Sequence, residues 1–339
     1  MTAPASIETV TGAQIQDIRP DEIAAAQRPV VFKGLASDWP LVREGLASPQ
    51  SAIDYLKGFD GGRPVVGYAG PPEIGGRFFY GPDLRGFNFA RQKAPLAAVA
   101  AKLLELATAP APPAVYAGAT ETRQHLPRFD AAHPLPHAAM QRDARSRVWL
   151  SNRIEVATHF DLSDNIAVVA LGRRRFTLFP PHATADLYVG PLDHTLAGQP
   201  VSLPDPLRPD FAAYPRFEQA LALAQGAELS PGDAVFIPTL WWHHVAALDP
   251  VNVLVNYWYN DAARGGGFLA LVHALLAIRD LPDEQREAWR HWFDHFVFGA
   301  EAPHAADHIP AAARGVTGPP SPQRDETIRQ FLLKVLGSG

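Results

Sequence analysis

Prolines and glycines punctuate this chain so densely that long helices have little room in most of it. There are 33 prolines and 26 glycines among 339 residues. Proline breaks the helical hydrogen-bond ladder and glycine tends to end regular elements, so short segments between them favour a β-rich, loop-rich body over a helix bundle. The runs between these breakers are rich in β-branched and aromatic side chains. Val148–Leu150, Ile166–Leu171 and Phe176–Phe179 read as strands, with Gly172 and the arginines after it turning the second into the third as a hairpin. Ser230-Pro231-Gly232-Asp233 is a turn signal followed by a strand at Ala234–Pro238, and Val251, Val253 and Val255 alternate into Tyr257 as a further strand. Arrays of short strands and turns favour a sandwich or closed barrel, including the two-sheet jelly roll.

The flanks read differently. In the first third, Pro29–Phe32 is a strand ended by Gly34, and Ser48-Pro49 opens a short helix through Leu56. Leu96, Val99, Leu103 and Leu106 recur at helical spacing, and Val115-Tyr116 follows as a short strand. Phe268–Ile278, Asp283–Phe298 and Pro322–Leu336 read as helices. The organisation expected is a mainly β body over 1–262, with a mixed α/β start, and a helical region over 263–339. The apolar positions Phe268, Leu271, Leu275 and Ile278 suit either a partner subunit, giving a homodimer, or the chain's own core.

Composition excludes several classes. A net charge of −5 argues against a general nucleic-acid binder. No apolar run approaches a membrane span, and Met1 to Val10 lacks the basic start and apolar stretch of a secretory signal, so a cytoplasmic protein is expected. Cysteine is absent, so any metal must be held by His, Asp, Glu or water.

The chemistry begins at Thr158-His159-Phe160-Asp161. Side chains alternate along a strand, so His159 and Asp161 share a face and Phe160 points the other way into packing. A third ligand is offered by Trp241-Trp242-His243-His244. Adjacent strand residues face opposite sides, so one of the two histidines can join the site and the other cannot. Two His and one carboxylate on one face of an octahedral ion leave three positions open, as in non-haem iron(II) oxygenases. An isolated His-x-Asp is weak evidence, because the tripeptide recurs by chance as a surface or packing feature.

The surrounding motifs are more specific. PVVFKGLASDWP, FNFAR, AVYAG, THFD, LGRRRFTLFPP, SPGDAVFIPTLWWHH and VNYWY follow one another between Pro29 and Tyr259, about two-thirds of the chain. In their order and near-spacing this stretch resembles the JmjC-type, cupin-like oxygenases, and most closely the branch containing the asparaginyl hydroxylase of hypoxia-inducible factor. The resemblance implies a double-stranded β-helix core, iron(II) held by His159, Asp161 and His243, and 2-oxoglutarate as co-substrate. His244 is the adjacent alternative ligand. Arg174 stands where the family usually has the lysine that binds the distal carboxylate of 2-oxoglutarate. A guanidinium can hold that group with two parallel hydrogen bonds, though its bulk leaves room for another pose or another oxo acid. Arg173 reads as a solvated turn residue, and Arg175 fits either role.

Tyr116 matches a tyrosine on the same carboxylate, and equally suits a core aromatic. The family's threonine three residues before the first ligand is Val156 here, so Thr158 is the candidate replacement. Asn165 and Asn256 match asparagines near the metal-binding end of the co-substrate, and Trp258 matches a pocket-lining tryptophan or a simple core residue. His291 and His295 lie four apart on a helix with no zinc-protease glutamate and read as a polar face. His125, His133 and His137 sit in a Pro-containing loop, and His182 reads as structural. The implied reaction is hydroxylation of a protein side chain or small molecule. A cupin isomerase, a dioxygenase without an oxo acid, and a non-enzymatic metal- or ligand-binding module are the alternatives.

Overall fold

The computed structural model describes residues 4–12, 25–135, 144–259 and 266–336. His137 lies outside them. The chain divides into two compact units, Met1–Asp261 and Ala262–Gly339. In chain order the strands of the first are β1 (Ala5–Ser6), β2 (Glu8–Thr11), β3 (Val30–Lys33), β4 (Val65–Gly70), β5 (Arg77–Phe78), β6 (Ala90–Ala94), β7 (Ala114–Glu121), β8 (Arg145–Ser151), β9 (Glu155–His159), β10 (Asp164–Leu171), β11 (Arg174–Phe179), β12 (Gln225–Leu229), β13 (Ala234–Ile237), β14 (Trp242–Ala247) and β15 (Asn252–Tyr259). They form a smaller sheet ordered β1-β12-β11-β14-β9-β5 and a larger one ordered β2-β3-β13-β10-β15-β8-β7-β4-β6. From β8 onward the chain passes repeatedly from one sheet to the other, which is the winding of a jelly roll.

Strand β10 shows why the sequence there is apolar at nearly every position. All its residues are buried, because each face meets a different core. Ile166, Val168 and Ala170 pack outward with Leu41 and Val42 of helix Pro40–Ala47, Ile53 and Leu56 of helix Pro49–Lys57, and Leu96 and Leu103 of helix Leu96–Leu106. Ala167 and Val169 turn inward to Phe176, Leu178, Leu229 and Val245 of the smaller sheet. Burial of each large side chain stabilises the fold by about 1.5–3 kcal/mol.

The hairpin expected at Gly172 does not form: β10 and β11 belong to different sheets and do not pair, and the chain crosses between them in a turn tighter than the run of three arginines suggests. Gly172 has φ 71°, and a Cβ there would lie 2.3 Å from Asn252 Oδ1. Only glycine accepts that backbone and that approach. Arg173 alone turns the corner, its Nε and Nη2 donating to the Asp249 carboxylate at 3.2 and 3.1 Å. Arg174 already belongs to β11 and faces inward, and Arg175 faces outward to Glu228 at 3.4 Å. Val115-Tyr116 is likewise part of a longer strand, β7. Strands β4 and β6, which extend the larger sheet beyond it, carry no strong period in sequence.

The second unit holds the helices Gly267–Ala277, Asp283–Phe293 and Pro322–Leu336. The single helix expected over Asp283–Phe298 changes to a π-turn at Asp294–Phe298, closed by Gly299 N–H donating to Asp294 O at 2.7 Å. Leu269, Leu276, Trp292, Phe298, Phe331 and Leu333 are exposed. No helix among the described residues is long and apolar enough to cross a membrane.

Candidate active site

Between the two sheets lies a cavity of about 430 Å³. His159 ends β9, Asp161 follows two residues later, and His243 lies near the start of β14 directly across from His159. All three line the cavity, and their ligand atoms lie within 4.8 Å of one another. His243 Nε2 is 3.5 Å from Asp161 Oδ2, and the two imidazole centroids are 4.2 Å apart. Each ring is anchored by its other nitrogen: His159 Nδ1 lies 2.9 Å from Ala157 O, and His243 Nδ1 lies 3.0 Å from Trp241 O. A carbonyl only accepts, so each Nδ1 carries the proton and each Nε2 offers its lone pair to the cavity. Burial, and then the neighbouring His159, pushes the His243 pKa down to about 4. The imidazole is therefore neutral at ordinary pH, as a metal ligand must be.

The pairing of β9 with β14 contains a bulge: Val245 faces Val156, whereas His243 faces His159, so Ala157 and Thr158 oppose the single residue His244. The extra residue reverses the strand's phase, which lets Val156 and His159 both face the cavity. Thr158 is corrected by the same bulge. Its side chain is not on the cavity wall, and its hydroxyl is buried without a partner among the described residues.

Asn165 and Asn256 do line the cavity, in a chain of hydrogen bonds that ends on the Asp161 carboxylate. Trp149 Nε1 donates to Asn256 Oδ1 at 2.6 Å, Asn256 Nδ2 to Asn165 Oδ1 at 3.2 Å, and Asn165 Nδ2 to Asp161 Oδ2 at 3.5 Å. The asparagines thus position Asp161.

Arg174 is fully buried on the opposite sheet from Asn256, and its Nε and Nη2 have no partner among the described residues. Burial lowers its pKa to about 10, with the nearby Tyr116 phenol acting the other way, so it remains charged at neutral pH. The Tyr116 ring lies over Gly118, where a Cβ would come within 2.8 Å of it. Burial pushes the Tyr116 hydroxyl far above its usual pKa, so it stays a hydrogen-bond donor. A buried cation with an unfilled donor edge beside a phenol has the chemistry to receive an anion. Trp258 also lines the cavity.

His244 points to the opposite side of β14, toward Glu155 and Asp205, whose ligand atoms form a second cluster with its own. Both carboxylates there are already matched: Arg208 bonds Glu155 and reaches Asp205 at 2.7 Å, and Arg77 lies 3.8 Å from Asp205. No other described histidine of the first unit lines the cavity. His133 is buried in the helix-covered core, stacked on Phe129 at 4.1 Å with Nδ1 2.8 Å from Phe129 O, while His291 is exposed beside Glu287. Arg147 and Trp149 of β8 line the cavity and were not anticipated. The alternation Arg145, Arg147, Trp149 against Ser146, Val148, Leu150 carries that signal.

A family model described as a cupin-like domain matches residues 16–265. The chain belongs to this family. Its cupin-like relatives include a protein named lysine-specific demethylase JMJ31 from Arabidopsis thaliana, 36% identical over 119 residues that make up 33% of this chain and 20% of that protein. HSPB1-associated protein 1 of Homo sapiens is 36% identical over 96 residues, 28% of this chain and 19% of its own length. tRNA wybutosine-synthesizing protein 5 of Gallus gallus is 28% identical over 150 residues, 40% of this chain and 44% of its own. The matched segments therefore span less than half the length of each of these cupin-like relatives.

Proposed function

We propose that this cupin-like protein is an iron(II)- and 2-oxoglutarate-dependent oxygenase that hydroxylates its substrate and releases succinate and carbon dioxide. The observation that carries the reading is the pairing, in one cavity, of the His159–Asp161–His243 cluster with the unpartnered donor edge of Arg174. The relatives named above support it at family level, and the likeness to the asparaginyl hydroxylase branch rests on the motifs alone.

The donor set suits the metal: two neutral imidazoles and one carboxylate fit a borderline divalent ion and leave its remaining positions open. Iron(II) with 2-oxoglutarate supplies two electrons to dioxygen by oxidative decarboxylation, the substrate C–H supplying the other two. The chain's own residues do the rest. His159, Asp161 and His243 would hold the ion, with Asn165 and Asn256 fixing the Asp161 carboxylate. The free Nε and Nη2 of Arg174 form one edge of the guanidinium and match the two oxygens of a carboxylate. Tyr116 adds a neutral donor. Phe176, Val156 and Val245 line the wall with apolar surface and exclude water.

The test is anaerobic loading with iron(II) followed by 2-oxoglutarate, watching for the weak visible charge-transfer band of a chelated oxo acid. The wild type should show it. Arg174→Met should keep iron binding and lose oxo-acid affinity by at least about tenfold, the worth of a charge-assisted bidentate pair. The absence of a band in iron-loaded wild-type protein would leave a cupin that uses no oxo acid. The helical unit carries a separate proposal: its exposed Leu269, Leu276, Trp292 and Phe331 support self-association as a homodimer, which sedimentation of the full chain would check.

A further inference from the structure

The oxo acid of the proposed reaction uses one unpaired guanidinium, and a second lines the same cavity. Arg147 lies on β8 in the larger sheet. Its Nη1 is buried without a hydrogen-bond partner among the described residues, and so is the indole Nε1 of Trp258. The Arg147 guanidinium carbon stands 4.2 Å from the centroid of the Trp258 ring, so the two donors come from one stacked pair. Glu121, the cross-strand neighbour of Arg147, accepts from Gln124 Nε2 at 2.8 Å and forms no ion pair with Arg147. Burial holds the Arg147 pKa below its usual value, while Glu121 and Asp161 act in the opposite direction.

Strand register places this pair at the metal-ligand end of the cavity. Arg147 lies across from Asn256, and Trp258 across from Asn165, the two asparagines whose hydrogen bonds end on Asp161. Tyr116 pairs instead with Ser151, four residues farther along β8, or roughly 13 Å at the rise of a strand. Trp149 stands between, its ring stacked on Tyr116 at 5.9 Å and edge-on to Trp258 at 6.1 Å. The cavity thus has a cationic donor group toward each end.

We infer that Arg147 and the Trp258 indole N–H form a second anion subsite, which takes the carboxylate of a small organic acid bound as the primary substrate. The word substrate rests on the oxygenase reading; the carboxylate subsite does not. Two donors from different side chains suit the two oxygens of one carboxylate. A cavity of about 430 Å³ admits the oxo acid and leaves room for a small organic acid beside it. The site's buried donors also disfavour a neutral ligand, which would leave the guanidinium unpaired.

The test loads the full chain with manganese(II), saturates it with 2-oxoglutarate, and measures paramagnetic relaxation of the protons of added butyrate or of its neutral isostere butyramide. Butyrate should be relaxed and butyramide not. Arg147→Gln should weaken butyrate binding at least about tenfold, Arg147→Lys less, and Trp258→Phe should fall between wild type and Arg147→Gln. Butyrate bound equally by Arg147→Gln, or butyramide bound as well as butyrate, overturns the subsite. So does a loss of 2-oxoglutarate affinity in Arg147→Gln with butyrate displaced by the oxo acid, since Arg147 would then serve the co-substrate. Butyrate binding that depends on Arg147 in a protein with no affinity for 2-oxoglutarate would keep the subsite and remove the oxygenase reading.

Discussion

His243 and His244 are neighbours on one strand, yet they open onto two clusters with opposite electrostatics. On the cavity side, His243 meets His159 and Asp161, and no lysine or arginine among the described residues lies within salt-bridge reach of that carboxylate. On the other side, His244 meets Glu155 and Asp205, whose charges are taken by Arg208 and Arg77. Burial, joined by Arg77 and Arg208, brings the His244 pKa down to about 4 despite Asp205, so it too is neutral. Both clusters bring three ligand atoms within reach of one ion. The difference is that no guanidinium among the described residues reaches ion-pair distance of the first cluster's carboxylate, whereas the carboxylates of the second are already paired with guanidinium groups. Charge balance, rather than the count of His and carboxylate groups, is what marks the first as the candidate metal centre and the second as a structural ion cluster.

The largest expected effect tests that contrast directly. Asp161→Ala should lower divalent-metal affinity by more than the roughly 100-fold that loss of an outer hydrogen-bond partner costs. His244→Ala should leave it within a few-fold of wild type, as measured by cobalt(II) titration. Equal losses in the two variants would erase the distinction. A second change tries to convert one cluster into the other. Arg208 is 59% exposed on its side chain and bonds both Glu155 and Asp205, so Arg208→Met frees Glu155 and leaves Asp205 only the more distant Arg77, without opening the core. The wild type should bind one equivalent of zinc(II), and the variant should gain a second, weaker one that His244→Ala removes. If the variant gains no second equivalent, Arg77 alone suffices to keep the cluster neutral.

The sequence made one of these clusters far easier to read than the other. Strand alternation suggested His159 and Asp161, and the turn and strand preceding the His243–His244 pair suggested that pair, because these residues lie in short patterned segments; the choice of His243 over His244 came from the family resemblance. The face of Thr158 did not follow, since a one-residue bulge reverses alternation and leaves no mark in composition. Asp205 lies far along the chain from Glu155 and outside any periodic run, so its meeting with His244 depends on a long connection whose path no local pattern dictates. The jelly-roll core was legible in its apolar runs. Strand β4 and the edge strand β6 were not, because their residues are only partly buried and short-period signals fade where one face meets water. Arg147 was hidden for a related reason: a charged residue in a strand reads as solvent-facing until the opposing sheet is known.

A smaller effect separates ligands from the residues that aim them. Asn256→Ala breaks the hydrogen-bond chain from Trp149 to Asp161 while leaving all three ligands in place. Metal affinity should fall about 10- to 100-fold, the usual worth of an outer hydrogen-bond partner. The corresponding change outside the cavity, Arg208→Met, should not weaken the first metal equivalent. A fall of similar size in both variants would mean that general destabilisation, and not carboxylate orientation, sets the affinity.

The smallest effect concerns the far end of the cavity and leaves the metal cluster untouched. The Tyr116 ring lies against Gly118 so closely that a Cβ there would stand 2.8 Å from ring carbons and 2.9 Å from the hydroxyl oxygen. Gly118→Ala should therefore displace the phenol while leaving Arg174 in position. Losing one neutral hydrogen bond is worth about 1 kcal/mol, or roughly fivefold in affinity. The 2-oxoglutarate affinity of Gly118→Ala should fall by about that factor and match that of Tyr116→Phe, with metal affinity unchanged in both. A much larger loss in Gly118→Ala than in Tyr116→Phe would show the displaced ring blocking the cavity. No loss in either variant would leave Arg174 as the sole anchor of the co-substrate, and Tyr116 as an aromatic wall that shields the guanidinium from water.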